Sequence, residues 1–137
     1  MGVVMTAEYN GQLHCTAVHQ PSGNNLDTDA PVDNQGRGLA FSPTDLLGAS
    51  LLTCAITTLA IKGPKQGINP SSMSGKVEKQ MTQEGPRRVE SLTVHIEIQG
   101  PIESTHREAI EQIATHCPVA LSLHPSIKIP ISFAYSD

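Results

Sequence analysis

Between residues 46 and 61 no charged side chain interrupts the chain, and Leu, Ile and Ala recur on every side of a helical wheel instead of along one stripe. Just ahead, Ser42 offers an N-cap oxygen and Pro43 suits the first helical position. Asp45 presents a carboxylate to the free amides and positive end of the same helix. The pattern predicts a helix over residues 42–62. Being apolar all round, it is expected to be covered on all sides. At about 1.5 Å per residue the uncharged run falls short of the roughly 30 Å hydrocarbon core of a bilayer. A central core helix follows, with Cys54 inside it.

Period-two alternation marks the strands. Residues 3–9 and 12–19 read as a hairpin around Asn10-Gly11, the dipeptide that most readily takes the positive φ values of a two-residue turn. Cys15 falls in the second of these strands as a small buried residue. Residues 24–28 fit a short third strand, and residues 30–40 form a loop by their Pro, Asn, Asp and Gly content. Beyond the helix, residues 73–82 and 89–99 make a second hairpin. In its second strand Leu92, Val94, Ile96 and Ile98 face inward, and Thr93, His95, Glu97 and Gln99 outward. Residues 103–116 are an amphipathic helix in which Thr105 and Glu108 could form a capping box. Residues 118–124 suit a short separate helix, and residues 127–135 a closing strand that Pro130 assigns to an edge. The order is three strands, a helix, two strands, two helices and a strand. The expectation is an α+β chain forming one domain over residues 1–137.

Composition narrows the function. The chain has 137 residues, a net charge of −4 and no Trp. Its largest Lys/Arg cluster is the pair Arg87 and Arg88, so polynucleotides and anionic membranes are not expected partners. The N-terminal stretch lacks the basic and then apolar regions of an export signal, which points to the cytoplasm. Three widely spaced cysteines do not form a secreted disulfide framework, and no CxxC is present. Cys117 precedes Pro118 and would occupy the N-cap of the following helix, where free amides favour a thiolate. Cys54 lies too far along its own helix to gain from that helix's positive end. It would need a donor or cation from another segment, and Arg37 is the nearest candidate in sequence. Read alone, Cys54 and Cys117 fit either two inert core residues or a redox pair assembled by the fold. His116 and His124 flank the Cys117 segment without metal-ligand spacing, so no metal and no cofactor are expected. His95 should be solvated, and His14, His19 and His106 are surface positions without an evident partner.

The run DAPVDNQGRGLAFSPTDLLGASLLTC, followed much later by HCPVALSL, resembles the OsmC/Ohr superfamily of hydroperoxide-reducing proteins. In that family one cysteine lies on a buried helix after a Ser/Asn-Pro start, and a second lies in a Cys-Pro-Val or similar turn. Cys54 and Cys117 match those places, and the element order matches the family's intertwined, swapped homodimer. The resemblance implies that Cys54 attacks an organic hydroperoxide to give a sulfenic acid and that Cys117 condenses with it to a disulfide. Lipoyl groups or other dithiols would then supply electrons. The peroxidase branch carries an arginine-orienting glutamate where this chain has Thr44. Asp45 is the neighbouring carboxylate, with a capping role, a catalytic one, or both. Arg37 is either the activating arginine or a solvated loop residue. The alternative function is a non-enzymatic protein that binds a small apolar ligand or senses redox state.

Overall fold

The reciprocal cap at Ser42 is formed. In the computed structural model, which describes all of residues 1–137, Ser42 Oγ accepts from the Asp45 amide at 3.0 Å, and the Asp45 carboxylate accepts from the Ser42 amide at 2.9 Å. The Ser42 carbonyl takes the first helical bond, from the Leu46 amide. Helix α1 then runs over Pro43–Lys62, one turn tightening past Gly63 into a 3-10 segment at Pro64–Gln66. At twenty residues it is long and apolar enough to cross a membrane. It is therefore longer than the uncharged run alone suggested, because capped polar ends extend it.

The chain divides into two compact units, Met1–Leu47 and Gly48–Asp137. The first holds an antiparallel sheet of β1 (Met5–Tyr9), β2 (His14–His19) and β3 (Asn25–Asp29), with β2 in the middle. The expected two-residue turn is instead a wider connection. Gly11, Gln12 and Leu13 all have positive φ, and the Asn10 amide donates to the His14 carbonyl. The Asn10 side chain donates to Thr16 Oγ1 at 2.8 Å, and the ladder of the two strands begins at Tyr9 and Cys15. No residue of β1 is covered: Met5 and Tyr9 stay about two-thirds exposed, at 68% and 66%. Cys15 is half-buried where a buried residue was expected.

The second unit has a core of its own. β4 (Ser72–Met81) pairs antiparallel with β5 (Val89–Gln99), and β6 (Ile131–Ser136) joins β5 in parallel at the edge. Along β5 the alternation holds: Leu92, Val94, Ile96 and Ile98 are buried. β6 starts later than expected, after Pro130, whose carbonyl accepts from the Val94 amide. His95 is not simply solvated, since its Nδ1 lies 2.8 Å from Ser132 Oγ across the β5–β6 pair. A shallow groove of about 370 Å³ over this outer face is lined by Ser74, Gly75, Lys76, His95 and Glu97.

Within this unit α1 lies over the inner face of the sheet. A Cβ added at Gly48 would meet Leu92 and Val77 side chains at 3.3 and 3.5 Å, and one added at Gly75 would meet Leu52 at 2.9 Å. Both glycines are there because helix and strand approach closely. The expected all-round burial of α1 is not found within the chain. Gly48, Leu51, Ala55, Thr58 and Leu59 are buried along one stripe, whereas Ile61 is 60% exposed. One sheet face can cover only one side of a cylinder roughly 10 Å across.

After β5 the expected amphipathic helix is shorter. A 3-10 turn at Ser104–His106 leads into α2 (Arg107–Thr115), which buries Ile110, Ile113 and Ala114. The Thr105–Glu108 capping box is absent, because the helix starts at Arg107 and Thr105 turns instead to the Glu103 carboxylate. Arg107 sits over the Tyr135 ring at 4.5 Å. α3 (Pro118–Ser122) follows immediately.

Candidate active site

Cys54 and Cys117 reach one place from opposite kinds of local structure. Cys54 lies mid-way along α1, half-buried, one helical turn from the buried stripe position Thr58. Its Sγ is 3.8 Å from Thr58 Oγ1. That i, i+4 spacing puts the two side chains on one face of the helix. Cys117 is the N-cap of α3, extended at φ −68° and ψ 157°, with Pro118 next as the first helical residue. Proline has no amide to satisfy and disfavours helical geometry in the residue before it, so α2 must end and α3 must restart around this thiol.

The Cys117 thiol is buried, at 0% exposure. Burial pushes it above the ordinary cysteine range. The Ala120 and Val119 amides at the start of α3 pull the other way, and the adjacent Cys54 thiol raises it further, both by hydrogen bonding and by charge. The expectation that the N-cap position makes Cys117 a thiolate is therefore corrected. Its amides do face the sulfur, but desolvation outweighs them. The influence of Cys54 on the Cys117 thiol makes the two side chains neighbours. Both are free.

Arg37 and Asp45 belong to the first unit, each with partners of its own. Asp45 closes the reciprocal cap described above. Arg37 donates to Gln12 Oε1 at 2.9 Å and to the Asp29 carboxylate at 3.3 Å. Asp29, at the end of β3, is 1% exposed and collects three partners: His14 Nδ1 at 2.7 Å, Arg37, and the Leu39 amide at 3.0 Å on its second oxygen. The His14 hydrogen bond, then the Leu39 amide and Arg37, hold its carboxyl below the usual carboxylate range against the opposing effect of burial. His14, expected without a partner, is thus the half-buried partner of a buried carboxylate.

Sequence reasoning missed Asp29 and Thr58. For Thr58 a signal was present, the i, i+4 spacing from Cys54. For Asp29 there was only an acid at the end of a polar strand, and its partners come from β2 and from the loop that follows. No group of three or more His, Cys, Asp or Glu side chains is arranged to hold a metal ion.

The family model for OsmC-like protein matches residues 36–132. Among solved structures, a Psychrobacter arcticus protein named for an osmotic stress induced and detoxification response is similar at a TM-score of 0.89 and 37% identity, over 98% of both chains. An OsmC like protein from Mycoplasma pneumoniae aligns at 0.84 and 20% identity, over 100% of this chain and 99% of that one. An organic hydroperoxide resistance protein OsmC from Legionella pneumophila aligns at 0.78 and 20% identity, over 98% and 97%. No curated protein matches the sequence.

Proposed function

Because the chain belongs to the OsmC-like protein family, we propose that it is a cytoplasmic two-cysteine peroxidase that reduces organic hydroperoxides in oxidative stress defence. The observation that carries this reading is the pairing of a half-buried thiol on α1 with a fully buried one at the α3 N-cap. The solved relatives include a protein named for organic hydroperoxide resistance.

In the proposed reaction the Cys54 thiolate attacks the terminal oxygen of the hydroperoxide. An S–O bond forms as the O–O bond breaks, and the alkoxide leaves as an alcohol after taking a proton. The resulting sulfenic acid then meets Cys117. Held as a neutral thiol by burial, Cys117 is spared direct oxidation, because the thiolate is the reactive form. Its sulfur displaces the sulfenic oxygen as water, giving the Cys54–Cys117 disulfide. A dithiol such as a lipoyl group returns both to thiols. Asp45 and Arg37 serve in this reading through the loop and cap that lead into α1, Arg37 as the activating cation.

We also read the whole chain as one OsmC-like domain that works as a homodimer. The open side of α1 and the uncovered apolar side chains of β1 need cover, and a second copy is the source the family suggests.

The test is intact mass and thiol count of the reduced protein after one equivalent of cumene hydroperoxide, beside hydrogen peroxide. Loss of a hydrogen pair in the wild type is expected, faster with the organic oxidant. In Cys117→Ser a sulfenic acid should be trapped at Cys54, and Cys54→Ser should be inert. Survival of both wild-type thiols over minutes would rule the peroxidase out.

A further inference from the structure

Thr58 differs from two other helical threonines in how it uses its hydroxyl. Thr53 in α1 and Thr115 in α2 turn back to the carbonyl one turn earlier, at 2.8 and 2.7 Å, the usual bond of a threonine inside a helix. Thr58 makes no such bond. Its Oγ1 faces Cys54 Sγ at 3.8 Å, its only polar partner, although Thr58 is buried at 7% exposure. A buried hydroxyl normally secures a hydrogen bond, and here that bond is directed at the sulfur.

We propose that Thr58 is a further catalytic residue of the Cys54 site: its hydroxyl donates a hydrogen bond to the Cys54 thiolate, stabilising the negative sulfur and fixing its direction. The proposal rests on the peroxidase reading for its role in turnover, but its chemistry can be read without a peroxide. A thiolate can only accept, so when Cys54 ionises the hydroxyl must be the donor. Within the second unit the Thr58 hydroxyl is a neutral donor for this sulfur, and Cys117 is a neighbouring thiol. A neutral donor carries no charge into the buried site, so it does not incur the desolvation cost of a buried cation. When Cys54 becomes a sulfenic acid, the same hydroxyl can still hold the sulfur while Cys117 approaches.

The test compares Thr58→Val, which replaces the hydroxyl with a methyl group of similar shape, with Thr58→Ser, which keeps it. Reduced full-length proteins are treated with iodoacetamide across a pH series, and alkylation at Cys54 is followed by peptide mass. A charge-assisted hydrogen bond of ordinary strength predicts that Thr58→Val slows Cys54 alkylation at pH 7 by roughly 10-fold and moves the pH profile alkaline, while Thr58→Ser stays within about 3-fold of wild type. Oxidation by cumene hydroperoxide should fall in step. A thermal melt within a few degrees of wild type would exclude misfolding of Thr58→Val.

An unchanged alkylation profile in folded Thr58→Val would overturn the proposal, and so would an equal loss in Thr58→Ser, which would assign the effect to packing. Should wild-type Cys54 show the hydroxyl-dependent alkylation yet ignore hydroperoxides, the role of Thr58 would stand and the peroxidase reading would fall.

Discussion

The two sheets are held in opposite ways. β4, β5 and β6 carry an apolar inner face against which α1 packs, and four side chains of β5, Leu92, Val94, Ile96 and Ile98, are all but closed to solvent. In the sheet of β1, β2 and β3 the one buried residue is Asp29, and the large apolar side chains of β1 are open. The second unit is stabilised by area removed from water, which acts in every direction. The first is pinned at Asp29 by directed hydrogen bonds from His14, Arg37 and the Leu39 amide. The thiol pair lies in the unit with the apolar core. The arginine candidate lies in the polar one, where position depends on ionisation.

The largest difference should come from truncating the core. Ile96→Ala is expected to cost about 2–5 kcal/mol in urea unfolding, whereas Met5→Ala in β1 should stay within about 0.5 kcal/mol. Equal losses would dissolve the contrast between the sheets. A smaller effect is expected where helix and sheet touch. Gly75→Ala would set a methyl 2.6 Å from the His95 carbonyl and 2.9 Å from Leu52. The neighbours must shift, at about 1–3 kcal/mol, and the Cys54 to Cys117 oxidation rate should fall because α1 moves.

The smallest effect sharpens the polar side of the comparison, and it concerns pH. Asp29 titrates lower in the folded chain than in the unfolded one. Between those two values the unfolded state binds the extra proton, so the contribution of Asp29 is present above about pH 3.9, the unfolded value, and is lost as pH falls through the folded one. Urea midpoints measured between about pH 2 and 5 should therefore drop with acid in the wild type and drop less steeply in Asp29→Asn. Parallel curves would show that Asp29 does not anchor the first unit through its charge.

Much of this was legible residue by residue. The Ser42, Pro43 and Asp45 start of α1 is a local signal, and its reciprocal cap forms as read. The inward and outward alternation of β5 is equally local, and its bounds match over Val89–Gln99. Errors arose where a distant partner decides. The Asn10-Gly11 turn is wider, with positive φ from Gly11 to Leu13, and the closing strand is continuous only from Ile131, although Lys128 and Pro130 already bond to β5. The burial of α1 was over-read, since an apolar surface states that cover is needed without saying what supplies it.

The sequence by itself determined the α+β order, the capped apolar helix, the two cysteine positions and the resemblance that names the family, because capping, periodicity and motif spacing act over a few residues. Tertiary structure alone decided that burial raises the Cys117 thiol despite its N-cap amides, that Cys117 neighbours Cys54, that Thr58 turns its hydroxyl to the Cys54 sulfur, and that Asp29 engages Arg37 and His14. Desolvation and sulfur-to-sulfur proximity are properties of segments brought together from far apart in the chain, and no local pattern encodes them.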